Sequence, residues 1–142
     1  MILIDTNVVS EAMKPAPEPR VIAWLDSLPA SDVWISAVTV AEIQLGLALL
    51  PNGKRRRLLA EMAEQMFLED FSGRCLPFDF EAAKDYALIV AERNRPGSPV
   101  SVEDAQIAAI ARTGGLTLAT RNIKDFAGIQ GLETVNPWTD PK

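Results

Sequence analysis

The sequence predicts an α/β fold in which helices cover both faces of a mostly parallel β-sheet. Short apolar segments alternate with longer segments of helical pattern along the whole chain. The short segments are apolar throughout rather than at every second residue, which is typical of strands buried on both faces. No repeat, low-complexity tract or Gly/Ser-rich linker divides the 142 residues. We therefore expect one domain, residues 1–142.

In the first half of the chain, ILI at 2–4 predicts a buried strand, and a helix follows from about Asn7 to Lys14. Three prolines between positions 15 and 19 require an extended connection, because the residue before a proline disfavours helical geometry. Apolar spacing assigns the next elements. They are a helix carrying Val21, Trp24, Leu25 and Leu28, a strand at Val33–Ile35 and an apolar helix at Val40–Leu50.

In the second half, the turn pair Asn52-Gly53 precedes an amphipathic helix predicted over 54–71. Its predicted buried stripe consists of Leu58, Leu59, Met62, Met66 and Phe67. The helix-ending sequences Arg95-Pro96-Gly97 and Gly114-Gly115 separate the later segments. The remaining elements are a strand at Arg74–Phe78, helices at Phe80–Arg95 and Val102–Thr113, a strand at Leu116–Ala119, a helical turn at Asn122–Phe126 and a strand at Glu133–Val135.

The composition excludes several classes of catalysis. The chain has no histidine, which removes Ser–His–Asp and Cys–His hydrolysis and every histidine-ligated zinc site. A hydrolase of this composition must activate water with carboxylates, lysine or a metal held by oxygen ligands. The net charge of −5 counts against broad electrostatic binding of nucleic acid. Carboxylates that hold cations can nevertheless reverse the local field.

Cysteine content and hydropathy indicate a cytoplasmic protein. The single cysteine, Cys75, cannot form an intrachain disulfide and is predicted to be a small buried residue in a strand. No apolar run approaches the roughly 18–20 residues needed to cross a bilayer, so no membrane association is expected. The N-terminal MILIDTNVV has no basic leader.

Oxygen-bearing side chains follow several predicted strands, at the sheet edge where open parallel sheets bind ligands. Asp5 directly follows ILI, and Asn122 follows LTLA with Asp125 three residues on. Glu42 and Asp104 fall in the predicted first turns of two helices. Carboxylates brought close together repel one another unless a cation lies between them. The set therefore favours a site for Mg²⁺ or Mn²⁺, which prefer carboxylate and water oxygens.

Each of these residues could instead cap a helix. Thr39-Val40-Ala41-Glu42 matches a capping box, and Ser101-Val102-Glu103-Asp104 is a weaker match. Asp5 and Asn122 could cap the helices that they precede. Taken one residue at a time, capping is the simpler interpretation. Taken together, three carboxylates favour metal-assisted hydrolysis, in which the ion activates water and orients a phosphodiester.

Four segments resemble, in order and with suitable spacing, the four motifs of PIN-domain endoribonucleases. They are most similar to those of the VapC/FitB-like toxins of type II toxin–antitoxin systems. The segments are ILIDTNVVSE, SAVTVAEIQLG around Glu42, SVEDAQIAAIA around Asp104, and LATRNIKDF. The likeness covers nearly the whole chain, including NPW at 136–138.

This resemblance implies a three-layer α/β/α fold and a Mg²⁺ site at Asp5, Glu42 and Asp104, with Asn122 as a further catalytic position. It implies RNA cleavage by a toxin that forms a homodimer and is blocked by a cognate small DNA-binding antitoxin. Many relatives have a fourth acid where this chain has Asn122, so a second metal is expected to bind more weakly. Asp125 could compensate, or it could cap the short turn or stay solvated.

Two other functions remain open. Asp5 could be the covalent nucleophile of a phosphatase of the haloacid-dehalogenase type, although such enzymes need a second acid where this chain has Asn7. Alternatively, the domain could be a non-catalytic PIN-like interaction module whose acidic pocket receives a basic residue from a partner protein.

Basic side chains are candidate contacts for RNA phosphates. They are the run Lys54–Arg57 at the start of a helix, and Arg93, Arg95, Arg112 and Arg121. The three tryptophans, Trp24, Trp34 and Trp138, are expected in the core or an interface rather than stacked on bases.

Overall fold

A five-stranded, all-parallel sheet forms the centre of the computed structural model, which describes residues 1–139. Its strands, in chain order, are β1 Ile2–Ile4, β2 Val33–Ser36, β3 Cys75–Leu76, β4 Thr117–Ala119 and β5 Thr134–Val135. In space their order is β3-β2-β1-β4-β5. The central position of β1 puts the residue after it, Asp5, in the middle of the carboxyl edge of the sheet.

Seven α-helices are present within the described residues. They are α1 Thr6–Ala12, α2 Pro19–Asp26, α3 Ala37–Ala48, α4 Lys54–Gln65, α5 Phe80–Asn94, α6 Val102–Gly114 and α7 Ile123–Phe126. A 3-10 turn at Ala30–Asp32 precedes β2, and a π-helical turn at Met66–Asp70 extends α4.

Two hydrophobic cores lie on opposite faces of the sheet, because successive strand residues point to opposite sides. Leu3 packs with residues of α5 and α6, whereas its neighbour Ile4 packs with residues of α1, α2 and α3. Both side chains are almost fully buried. The predicted three-layer α/β/α architecture with a parallel sheet is therefore confirmed.

The start of α3 differs from the prediction. Ser36 caps this helix, since its hydroxyl accepts a 3.1 Å hydrogen bond from the Thr39 amide, and the helix begins at Ala37. The predicted capping box is consequently wrong. Thr39 lies inside the first turn, and Glu42 belongs to the second turn rather than the first.

The predicted buried stripe of the 54–71 helix is wrong at two of its five positions. Leu59, Met66 and Phe67 pack against the core, but the Leu58 and Met62 side chains are 51% and 46% exposed. These two residues line an open apolar groove between α4, α3 and α1 instead.

Cys75 is exposed, so the prediction of a buried residue is wrong. It lies in β3, an edge strand of the sheet, so fewer neighbouring elements surround it than surround a central strand. Trp24 belongs to a core, as predicted, while Trp34 and Trp138 are partly buried against the two cores. None of the helices in residues 1–139 is long and apolar enough to span a membrane.

Candidate active site

A cavity of about 400 Å³ opens at the carboxyl edge of the sheet and is lined by all four residues predicted to form the site. Asp5 reaches it from the end of β1, and Asn122 from the segment after β4. Glu42 and Asp104 reach it from α3 and α6. The fold therefore brings these side chains into one cavity from four separate segments.

The Asp5 carboxylate is held by three donors. Its Oδ1 accepts a 2.8 Å hydrogen bond from the Thr6 amide. Its Oδ2 accepts from the Thr120 hydroxyl at 2.8 Å and from the Asn7 side-chain amide at 3.1 Å. Asp5 is only 4% exposed. Burial raises the pKa of this carboxyl, and the three donors oppose the rise by stabilising its charged form.

Glu42 is oriented by hydroxyl groups of α1 and α3. Its Oε1 accepts a 2.5 Å hydrogen bond from the Thr6 hydroxyl, which lies 3.0 Å from the Thr39 hydroxyl. The Glu42 side chain therefore faces α1 instead of folding back to cap its own helix. Its position in the second turn of α3 makes this direction available.

Asp104 lies in the first turn of α6, as its sequence predicts. The Ser101 hydroxyl accepts a 3.1 Å hydrogen bond from the Asp104 amide and caps the helix. The Asp104 carboxyl is half-buried, and its pKa is raised to about 6, chiefly by burial and to a lesser extent by the negative charges of Asp5, Asp125 and Glu42. Asp104 thus lies in a field of negative charge that a bound cation would relieve.

Asn122 lines the cavity without making a side-chain cap for α7. The interpretation of Asn122 as a helix cap is therefore not supported. Asp125 is exposed on α7 and is not part of the cavity lining, although its charge raises the pKa of both Asp5 and Asp104.

Three uncharged residues, Thr6, Asn7 and Thr120, support the acids, and the sequence interpretation assigned them no such role. The Thr120 hydroxyl, which is fully buried, also accepts hydrogen bonds from the Asn122 main-chain amide and the Asn7 side-chain amide. Their positions directly after β1 and β4 are the signal that could have identified them, because residues there share the sheet edge with Asp5.

The donor set fits a hard divalent cation in an open site. The described residues include no group of three acidic, histidine or cysteine side chains placed closely enough to enclose an ion. Mg²⁺ does not need such a cage, since it keeps several waters and is commonly held by one or two carboxylates. Asp5 and Asp104, whose charges act on each other, provide that pair.

Most of the basic residues proposed from the sequence make other contacts. Arg112 forms a bidentate ion pair with Asp85, at 2.7 and 2.9 Å. Arg93 donates to the main-chain oxygens of Ser98 and Asp125. In the run at the start of α4, Lys54 and Arg55 line the apolar groove, and Arg56 donates to the Asn52 side chain. Of the candidates, only Arg121 lines the acidic cavity.

Comparison with known proteins places these features in a family context. A family model described as PIN domain matches residues 2–132. The chain is 48% identical to Toxin FitB of Neisseria gonorrhoeae over 140 residues, which cover 99% of this chain and 100% of that protein. It is 41% identical to the VapC ribonuclease Y4jK of Sinorhizobium fredii over 138 residues, covering 97% and 98%. The toxin chain in a solved structure of FitAB bound to an IR36 DNA fragment has a TM-score of 0.89 and 47% identity, covering 97% of this chain and 96% of that chain.

Proposed function

The chain belongs to the PIN-domain family, among the relatives of the FitB and VapC toxins, and from this premise we propose that it is a metal-dependent endoribonuclease acting as the toxin of a toxin–antitoxin pair. The observation that carries the proposal is the electrostatic coupling of Asp5, Glu42 and Asp104 around one open cavity. Such a cavity suits a cation and a phosphodiester.

Asp5 and Asp104 form the pair that would hold the metal, and Glu42 would complete the set as the third acid of the cavity, with Mg²⁺ as the first choice and Mn²⁺ as a substitute. When bound, the ion supplies an activated water and offsets negative charge on the leaving oxygen. The chain itself fixes the carboxylates. Thr120 and Asn7 hold Asp5 by hydrogen bonds, and Thr6 holds both Asp5 and Glu42.

Asn122 takes a role that needs no charge. Its amide lines the cavity, where it can orient water or a phosphate oxygen by hydrogen bonding. Because an amide does not offset cationic charge, a second metal would bind at this position more weakly than beside a fourth carboxylate. Asp125, outside the cavity lining, adds negative potential from a distance.

The partners follow from the relatives. FitAB, the complex that contains the similar toxin chain, is bound to DNA in its structure. We expect this chain to form a homodimer, to pair with a cognate small DNA-binding antitoxin that blocks the acidic cavity, and to act on RNA in the cytoplasm. We also propose that residues 1–142 form a single PIN domain.

The two alternative functions are less well supported. In a phosphatase with Asp5 as nucleophile, a general acid would be needed at position 7. Here Asn7 donates a hydrogen bond to Asp5 instead. A non-catalytic interaction module would account for the acidic cavity, but a ribonuclease relative covers nearly the whole chain.

The function is tested by incubating the purified protein with a mixed RNA pool in EDTA, Mg²⁺ or Mn²⁺. We expect cleavage that requires the metal and is lost in Asp5→Asn, which keeps the shape of the side chain and removes its charge. Asp26→Asn, an exposed acid at the end of α2, is the matched control and should cleave like the parent. The absence of both metal binding and RNA cleavage, together with unchanged partner binding by Asp5→Asn, would favour the interaction module.

A further inference from the structure

The acidic cavity is also lined by a stacked pair of side chains, Arg121 and Trp138. The guanidinium carbon of Arg121 lies 5.0 Å from the centre of the Trp138 ring. Within residues 1–139, the hydrogen bonds of Arg121 are made by its main chain, not by its guanidinium. The edge of the guanidinium is therefore open to a ligand while its face rests on the indole.

The main chain of Arg121 is held from both sides. Its amide donates a 3.1 Å hydrogen bond to the Asn7 side-chain oxygen, and its carbonyl accepts a 3.3 Å bond from the Asn136 side-chain amide. The Asn136 side-chain oxygen in turn accepts from the Trp138 amide at 2.9 Å. One residue, Asn136, thus connects the two members of the stacked pair. Asn7 connects the pair to Asp5, to which it also donates.

The positive charge of Arg121 acts on Glu11, an acid of the cavity lining. The pKa of Glu11, which also lines the cavity, is lowered chiefly by its hydrogen bonds with Lys14 and the Glu18 amide, and the charge of Arg121 adds to this. The pKa values of Asp5 and Asp104 are shifted instead by burial, by hydrogen bonds and by other carboxylates.

Lys14 is the other basic residue in the cavity lining, but its charge is already paired. Its ammonium lies 2.9 Å from a Glu11 carboxylate oxygen. Arg121 has no carboxylate partner within the ion-pairing distance among the described residues. It is therefore the cation in this cavity that is available to an anionic ligand.

Building on the proposed ribonuclease function, we propose that Arg121, stacked on Trp138, binds the RNA phosphate next to the scissile one. A guanidinium presents a planar fork of N–H donors that matches two phosphate oxygens, and an aromatic ring under its face leaves that fork free. A chain with a net charge of −5 needs such a local cation to hold a polyanion beside its acidic site. Trp138 and Asn136 are positioning residues, since they act through Arg121.

The first test measures RNA binding without cleavage. In an Asp5→Asn background with Mg²⁺, fluorescence anisotropy follows binding of a fluorescein-labelled, random-sequence single-stranded RNA at several salt concentrations. We expect Arg121→Ala to weaken binding roughly tenfold, as the loss of one charge-assisted contact predicts. The slope of log K against log salt should become shallower by about 0.7, which is the contribution of one phosphate in a single strand.

Arg20→Ala is the matched control, because Arg20 on α2 is exposed and lies outside the cavity lining. It removes the same charge and should change neither the affinity nor the slope. Arg121→Lys should keep the slope and lose affinity severalfold, since the charge remains without the planar fork. Trp138→Ala should also keep the slope and lose affinity, and Trp138→Phe should restore it.

The second test uses kinetics in the active chain. A phosphate that does not react is bound equally in the ground state and the transition state, so Arg121→Ala should raise KM and leave kcat nearly unchanged. A loss confined to kcat would overturn the assignment to a neighbouring phosphate. An unchanged salt slope in Arg121→Ala, or an equal change in Arg20→Ala, would overturn the phosphate contact.

The two proposals fail in different ways. If the parent chain cleaves RNA and Arg121→Ala binds and cleaves it equally well, the ribonuclease stands and the role of Arg121 is refuted. If the parent neither binds nor cleaves RNA in Mg²⁺ or Mn²⁺, the ribonuclease is refuted and this inference with it.

Discussion

Thr120 donates a 2.8 Å hydrogen bond to Asp5 Oδ2, although the two residues are 115 positions apart in the sequence. The contact exists because β4 pairs directly with β1, so the residues that follow these strands lie side by side. Both residues are buried, Thr120 fully and Asp5 to 4% exposure. In such surroundings a missing donor is costly, which makes the hydroxyl of Thr120 the most sensitive support of the site.

Replacing this hydroxyl should shift the pH dependence of activity. Thr120→Val preserves shape but removes a donor that holds the pKa of Asp5 down against burial. We expect the pKa of Asp5 to rise further, so the acidic limb of the pH–rate profile for RNA cleavage in Mg²⁺ should move to higher pH. Activity at neutral pH should fall about tenfold or more, because one charge-assisted hydrogen bond contributes roughly 1.5–3 kcal/mol.

Thr120→Ser is the control for this change, since it returns the hydroxyl in a smaller side chain. It should restore the position of the acidic limb even where it costs some stability. A Thr120→Val profile that superimposes on the parent profile would show that this hydrogen bond does not set the protonation of the site.

Removing the charge of Asp104 should stabilise the metal-free protein. The folded-state pKa of about 6 lies above the ordinary value of 3.8, so ionisation of Asp104 opposes folding. The contribution of Asp104 to stability should therefore be highest below the ordinary pKa and should be lost as the pH rises through about 6. Asp104→Asn escapes this loss. The full shift corresponds to about 3 kcal/mol, which solvent screening at a half-buried side chain reduces to the order of 1 kcal/mol.

Thermal unfolding in EDTA between pH 4 and pH 7.5 measures this effect. We expect the Tm of Asp104→Asn to exceed that of the parent above pH 6 and to approach it at pH 4, while RNA cleavage is lost. A Tm difference between Asp104→Asn and the parent that shrinks as the pH rises through this range would contradict the sign of the shift.

Divalent cations should reverse the order of stability. A cation that binds only the folded chain stabilises it by about 2.7 kcal/mol at a concentration 100 times its Kd. We expect Mg²⁺ and Mn²⁺ to raise the Tm of the parent at pH 7 and to have little effect on Asp104→Asn or Asp5→Asn. Asp26→Asn should respond like the parent. Equal responses in all four proteins would place the cation somewhere other than the acidic cavity.

The sequence predicted the order of the elements and the four cavity-lining residues because both depend on local signals. The apolar segments identify the strands, and a parallel sheet brings residues after the strands to one edge. Asp5, Glu42, Asp104 and Asn122 therefore reach the same cavity. Where the prediction failed, the cause was the tertiary arrangement of the elements. Cys75 resembles a residue of a central strand, but β3 is an edge strand and leaves it exposed.

The hydrogen-bond network around the acids was not predictable from local pattern. Thr120 and Asn7 support Asp5 across two segments, and spacing alone does not reveal such pairs. The prediction of where α3 starts failed for a different reason. Ser36 and Thr39 are both residue types that cap helices well, and only the structure decides between them. That three-residue difference changes the role of Glu42 from a cap to a side chain that faces α1.

An ion pair outside the cavity provides a test of the fold itself. Arg112 binds Asp85 through two hydrogen bonds at 2.7 and 2.9 Å and donates a third to the Gln130 carbonyl at 2.7 Å. It thereby joins α6 to α5 and to the segment before β5. The two side chains are only 18% and 15% exposed, so removing either one leaves its partner charged and poorly solvated.

We expect Arg112→Ala to lower the free energy of unfolding by roughly 2–4 kcal/mol, because the remaining Asp85 carboxylate and Gln130 carbonyl lose their donors. Urea denaturation measures this change, with Arg95→Ala as the exposed control, which should stay within about 0.5 kcal/mol of the parent. Asp85→Asn and the double variant complete the cycle. A coupling energy near zero would show that the pair is screened like a surface ion pair, whereas 1 kcal/mol or more, on the order measured for neighbouring residues, supports a structural role.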